Sequence, residues 1–292
     1  MKEEKREKEI IKGRSYIWRF LKRFRRNYLG IFGAAIVISL VFMAASASII
    51  FPYPNPRLEM RYTPPFKDWS VPLGTDNLGR DMLALIFYGA RTSMKVGLGS
   101  IGLIFLFGVL IGSLAGYFGK WIDEILMRFT DIMLTIPTLF LIIVFLSMFE
   151  VRGINIIIFA IGITGWPGLA RITRSQFLSL KKTPYVEAVQ VMGGSSFRIM
   201  FKHILPNALP PIIVVLTFQM AGAILMEAGL SFLGLGDPTL ISWGKIITQG
   251  RVSVATAWWE STFPGIAILF AVLGFNLLGD AIRDAFEVER VD

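Results

Sequence analysis

Hydrophobic positions gather into six runs separated by more polar stretches, and each run reads as one membrane-crossing helix. The first, 29–51, holds 23 residues without a charged side chain. At about 1.5 Å per residue that covers the roughly 30 Å of a bilayer's hydrocarbon. It is too long for a signal-peptide core, and no small-residue cleavage pattern precedes Pro52, so it reads as a retained anchor. The other runs fall at 92–118, 127–149, 154–169, 207–230 and 262–282. The fourth is short and is interrupted by Gly165-Trp166-Pro167-Gly168, which predicts a break there. Hydrocarbon offers the backbone no hydrogen-bond partners, so every run is expected to be helical. The pattern predicts an all-α, polytopic membrane protein with six transmembrane helices.

Charge orients these spans. Eleven of the 30 Lys and Arg residues lie in the first 26 positions, against four Glu. Six more, Arg171, Arg174, Lys181, Lys182, Arg198 and Lys202, lie in a polar stretch at 171–206 that carries one acid, Glu187. Basic loops beside spans stay cytoplasmic, and an even number of spans separates these two, so both signals give one topology. The organisation expected is a cytoplasmic tail 1–28, an anchor helix 29–51 and an extracytoplasmic segment 52–91. A five-helix core 92–282 containing the cytoplasmic loop 171–206 follows, then a cytoplasmic tail 283–292. Trp18, Phe20 and Phe24 alternate with Lys22, Arg23, Arg25 and Arg26, a pattern suited to a helix on anionic lipid or to an orientation signal alone.

Composition then removes classes. At 54% hydrophobic and 17% charged the chain lies outside the soluble norm. Its net charge of +9 follows membrane topology, which argues against a nucleic-acid partner. With no cysteine and a single histidine, His203, neither thiol chemistry nor a histidine-based zinc or triad site can be assembled. Gly119-Lys120 resembles the end of a phosphate loop, but Trp121 stands where Ser or Thr is needed and Leu114 where the first glycine belongs. The chain is therefore not expected to hydrolyse ATP. Asp131, Gln219, Glu227, Asn276 and Asp280 could form an ion relay, but Asp131 and Asp280 lie near predicted cytoplasmic span ends and Glu227 near an outer one, where capping or snorkelling is cheap, so a structural role is the preferred reading. Gly108, Gly112 and Gly116 recur every four residues and predict a flat helix face for close packing within the chain.

The loop 171–206 carries the strongest local signals. Thr183-Pro184 predicts a cap and a first-turn proline, with Glu187 near the positive end of the helix dipole. Tyr185, Val189 and Met192 are spaced as one apolar ridge, and Gly193-Gly194 should end the helix with a positive φ. Ser195 or Ser196 starts a second helix with Phe197, Phe201 and Ile204 on one face, expected to stop at Pro206. Such an amphipathic helix suits either a lipid surface or a partner's groove.

The same stretch resembles the EAA signature of the permeases of binding-protein-dependent ABC importers. Glu187, Ala188, Gly193, Leu205 and Pro206 match it; Val189 replaces its second alanine and His203 its isoleucine. LGTDNLGRD, YGARTSMKVG, HILPN, EAGLSFLGLGDP, SWGKII and FNLLGDAIRDAFE are similar to the dipeptide, oligopeptide and nickel branch of that family, in order along the chain. The resemblance implies the type I importer-permease fold in a prokaryotic plasma membrane. It also implies a second, homologous permease, two cytoplasmic ATP-binding subunits and an extracytoplasmic solute-binding protein as partners. ATP and magnesium would be bound by the ATPases, with no cofactor in this chain. Tyr185, Glu187, Ala188, Val189, Met192, Gly193, Gly194, His203, Leu205 and Pro206 are the residues it marks for ATPase coupling. Peptides are the leading solute class, oligosaccharides and nickel the alternatives. An ion-coupled secondary carrier and a membrane scaffold without a pathway are the readings from other classes.

Overall fold

The computed structural model describes residues 16–149 and 153–287. The mixed-charge start of the basic tail and the last five residues lie outside the described residues. Helix α1, Tyr16–Phe24, packs its Phe20 ring against Phe286 with centroids 4.9 Å apart. Helix α2, Tyr28–Ile50, opens at Asn27, whose side chain accepts the Gly30 N–H at 2.9 Å, a standard N-cap.

Helix α3, Met82–Phe118, begins ten residues earlier than the hydropathy pattern suggests. Asp81 caps it by accepting the Leu83 N–H at 2.9 Å, and Met82, Leu85 and Ala90 are buried. Arg91, which limited the apolar run, is exposed on the helix surface. The segment expected at 52–91 is therefore irregular only as far as Asp81.

The third predicted span, 127–149, is two helices. Helix α4, Lys120–Thr135, and helix α5, Thr138–Ser147, meet at an 88° bend. Pro137 disfavours helical backbone at the residue before it, and Ile136 is extended at φ −95°, ψ 127°. The predicted fourth-span break does not occur: helix α6, Ile154–Leu180, continues through Pro167. Trp166 and Pro167 are buried there, and a proline within a span is tolerated where neighbours pack around it. Because α6 reaches Leu180, residues 171–180 are helix rather than loop.

Helix α7 is Pro184–Val191, and helix α8 runs Ser196–Phe232. Helix α8 does not stop at Pro206. Residues Ile199–Ile204 form a π-turn in which the Leu205 N–H reaches back five residues to the Met200 carbonyl, and the helix resumes with Pro206 in its first turn, where a missing N–H costs least. Helices α9, Trp243–Gly250, and α10, Trp259–Glu287, complete the chain. Among the described residues five helices are long and apolar enough to cross a membrane, and the bent α4–α5 pair, taken as one span, brings the number to six.

Two close-packed pairs organise the bundle. The glycine face of α3 lies against α6 so tightly that a Cβ at Gly112 would sit 2.4 Å from the Ala170 carbonyl oxygen. Helix α2 lies along α10, where Gly33 and Gly274 admit the opposing chain. One apolar cluster, with Met82, Leu85, Met220, Trp243, Trp259 and Phe275, fills the end that carries α9. A second, with Phe177, Val186, Ile199, Met200, Ile204 and Ile212, fills the end that carries α7.

Candidate functional site

The polar stretch between α6 and α8 is built as a small rigid elbow. Thr183 stands at the N-cap of α7 with extended backbone, but its hydroxyl donates back to the Leu180 carbonyl at 2.5 Å and does not cap the helix. Pro184 supplies the first turn as expected, and Glu187 is exposed near the N-terminus. At the other end Gly193 takes φ +78°. Its N–H donates to the Gln190 carbonyl and the Gly194 N–H to the Val189 carbonyl, each at 3.0 Å, which is a Schellman ending. The two glycines serve different needs. A Cβ at Gly193 would meet open space, so only its φ demands glycine. A Cβ at Gly194 would lie 2.7 Å from Val189 Cγ1, so closeness demands it.

The ridge of Tyr185, Val189 and Met192 is not one face. Val186 is fully buried and Val189 half-buried against Ile199, Met200 and Ile204, and these seat the helix. Tyr185, Glu187, Ala188, Val191 and Met192 face outward, with Val191 89% and Met192 77% exposed. Phe197, tilted 42° against the Phe201 ring with centroids 4.6 Å apart, adds a ring that is 72% exposed. The predicted face of Phe197, Phe201 and Ile204 divides likewise: Ile204 is buried, Phe201 half-buried and Phe197 outside. The π-turn inserts one extra residue into the turn, so spacing counted for an α-helix no longer marks one side.

His203 and Leu205 are half-buried and Pro206 exposed at the start of α8. Asn207 Nδ2 donates to the His203 carbonyl at 2.8 Å, taking up an acceptor beside the π-turn. Lys181 Nζ donates to the Tyr117 carbonyl at 2.5 Å and lies 5.1 Å from the centre of that ring, tying the elbow to α3.

Two bases counted with the loop are already matched. Arg174 pairs with Asp123 and Arg171 with Asp131, both at 2.5 Å, joining the last turns of α6 to α4. Asp131 is thus an ion-pair partner rather than a relay member, and Asp280 pairs with Arg283 at 2.7 Å. Val186, Val191 and Lys181 are the site residues that spacing alone did not single out. Val186 and Val189 at i, i+3 was the available signal, an alternative face of the same short helix.

At the opposite end, residues 52–81 fold over α9 and α10. Asp76 accepts from the Leu78 and Arg80 amides and pairs with the Arg80 guanidinium at 2.6 Å, while Arg80 also donates to Gln249 at 2.9 Å. Trp259 Nε1 donates to the Thr75 carbonyl at 2.9 Å.

Comparison with known proteins gives this geometry a context. Residues 108–289 match the family described as binding-protein-dependent transport system inner membrane component, and residues 15–65 match the N-terminal transmembrane domain of oligopeptide transport permease C. The chain is 39% identical over 284 residues to the oligopeptide transport system permease protein OppC of Bacillus subtilis, covering 96% of this chain and 92% of that protein. It is 38% identical over 276 residues to the dipeptide transport system permease protein DppC of Alkalihalophilus pseudofirmus, covering 92% and 89%. A di/tripeptide transport system permease protein of Pseudomonas aeruginosa is 36% identical over 278 residues, covering 92% and 90%. Among solved structures, an inward-facing form of the MetNI methionine ABC transporter superposes with a TM-score of 0.59 at 20% identity, covering 70% of this chain and 97% of that one, a likeness of fold.

Proposed function

Because this chain belongs to the family of binding-protein-dependent transport system inner membrane components, we propose that it is the permease subunit of an ATP-driven importer of di- or oligopeptides. The outward face of α7 is, in this reading, the seat of an ATP-binding subunit. The observation that carries it is the elbow itself: a helix fixed by Val186 and a Schellman ending presents Tyr185, Ala188, Val191 and Met192 to solvent. An apolar face held rigid and left uncovered suits a partner's groove better than water. The turn at Gly193-Gly194 joins that face to α8, which runs from Ser196 through its π-turn to Phe232 at the far end of the bundle. A push on α7 would therefore reach the other side as movement of one rod, as alternating access requires.

On this reading the α7 end faces the cytoplasm, a homologous second permease completes the pathway, and two ATPases hold ATP and magnesium. A solute-binding protein delivers peptide to the end capped by residues 52–81 and α9. Peptide is preferred among the solutes because the relatives named above carry oligopeptide and dipeptide designations. The test is uptake of labelled di- and tripeptides by vesicles holding the full complex. Uptake should require ATP and the binding protein together. Uptake driven by an ion gradient without the ATPases would overturn the proposal, and uptake of oligosaccharide or nickel alone would overturn its solute.

A further inference from the structure

Glu227 was expected near a span end where its carboxyl could reach water, yet it is 2% exposed. It lies on α8, and its hydrogen-bond partners are serine hydroxyls. Ser93 Oγ of α3 donates to Oε2 at 3.0 Å, and Ser231 Oγ of α8 donates to Oε1 at 2.7 Å. Ser242 Oγ in turn donates to Ser231 Oγ at 3.2 Å, and Ser242 is the N-cap of α9. One carboxyl therefore joins three helices within the bundle. An ionisable group at such a place is costly, and apolar packing would hold helices together at less expense.

The surroundings divide these helices into two bodies. Helix α9 rests on α8 backbone to backbone: a Cβ at Gly244 would lie 2.3 Å from the Ala228 carbonyl oxygen. Helix α3 is bound to α6 by its glycine face and meets α9 at Gly89, where a Cβ would lie 2.4 Å from Trp243 Cδ1. The Ser93–Glu227 bond is the side-chain hydrogen bond from α3 to α8; Trp243 Nε1 of α9 adds one to the Ile86 carbonyl of α3 at 3.0 Å, and Asp237, just past α8, accepts the Ile154 N–H of α6 at 3.0 Å. The nearby contact of Met220 on Gly97 is apolar and able to slide. A hydrogen bond has one geometry and is either made or broken, which suits a two-state contact.

We infer that Glu227 is a positioning residue, the latch between α3 and the α8–α9 unit at the end where solute enters. This rests on the function proposed above, in which the loaded binding protein acts at that end and α8 carries the signal to α7. Closed, the latch keeps the two bodies in register, so that ATP hydrolysis waits for the binding protein.

The test compares Glu227→Ala, Glu227→Gln and Ser93→Ala in the reconstituted complex. The readouts are the ratio of ATPase activity with and without peptide-loaded binding protein, and amide hydrogen exchange across residues 88–97 and 243–250 without nucleotide. Glu227→Ala should lower the ratio at least fivefold and raise exchange in both segments. Glu227→Gln, which retains an acceptor and a donor for the two serines, should restore the ratio to within twofold of wild type. Ser93→Ala, which removes the serine bond from α3 and leaves the Trp243–Ile86 bond in place, should lower the ratio at least twofold, and it decides the matter if Glu227→Ala fails to assemble. Unchanged exchange overturns the latch, and raised exchange with an unchanged ratio overturns its coupling role. A wild-type complex without ATP-driven uptake would count against the proposed function instead, and the exchange data would still decide the bond.

Discussion

Gly193→Val probes the elbow with least disturbance elsewhere, because no helix long enough to span the membrane is altered. Gly193 has φ +78° and open space where its Cβ would be, so the change introduces backbone strain without a clash. Left-handed backbone costs an L-residue roughly 1–2 kcal/mol, and a β-branched side chain tolerates it poorly. What holds α7 in place is mainly the burial of Val186, worth about 1.5–3 kcal/mol, with a part-share from Val189. Strain and anchor are thus of the same order, and 1–2 kcal/mol shifts a two-state population by a factor of about 5–30. The chain contains no cysteine, so a spin label on Val191→Cys reports α7 alone. Gly193→Val should leave membrane insertion unchanged, add a mobile component to that label's spectrum and cut solute-stimulated ATPase activity several-fold. Gly193→Asn, a residue more at ease with positive φ, should stay near wild type. Wild-type mobility and stimulation in Gly193→Val, or equal damage from Asn, would refute the reasoning.

Val191→Glu combined with Met192→Glu should leave expression intact but lower the amount of ATP-binding subunit that copurifies; unaltered copurification would remove α7 as its seat. Glu187→Lys places a positive charge near the N-terminus of α7 and should weaken stimulation less than Gly193→Val does, as read in the same vesicles. Gly112→Leu forces side-chain atoms into the Ala170 carbonyl and should lower the melting temperature in detergent by an amount matching at least about 1–3 kcal/mol of overpacking. Burial pushes the Asp81 carboxyl above the usual carboxylate range, against the pull of the Leu83 and Ala84 amides. A raised pKa in the folded state means that its stabilising share is present at low pH and lost as pH climbs through that pKa. Asp81→Asn keeps a capping oxygen, so melting curves should show the variant gaining on wild type from about pH 4 upward; a pH-independent difference would contradict this.

Three prolines show what was legible in the chain and what was not. Each reads as the same local instruction, yet Pro137 breaks a span, Pro167 sits inside a continuous helix and Pro206 follows a π-turn. The outcome depends on neighbours: the second is buried in the bundle beside Trp166, while the third is prepared by the shifted bond from Leu205 to Met200. By contrast, the ends of α7 are written locally, since Pro184 and the Gly193-Gly194 pair need only their own backbone geometry. Which side of α7 faces inward is not local, because it is set by Ile199, Met200 and Ile204 across the elbow. The burial of Glu227 was likewise hidden, since Ser93 lies 134 residues away in the chain. The early start of α3 was masked by Arg91, a charge that ends a hydropathy window but not a helix.

The measurement closest to the central claim is site-directed cross-linking in the assembled complex. Single cysteines at Val191→Cys on α7 and at Val252→Cys, 80% exposed at the opposite end, give two reporters on an otherwise cysteine-free chain. Val191→Cys should cross-link to an ATP-binding subunit, with a yield that changes when ATP is trapped, while Val252→Cys should reach no ATPase. Failure of Val191→Cys to capture an ATP-binding subunit, or equal capture by Val252→Cys, would contradict α7 as the coupling surface.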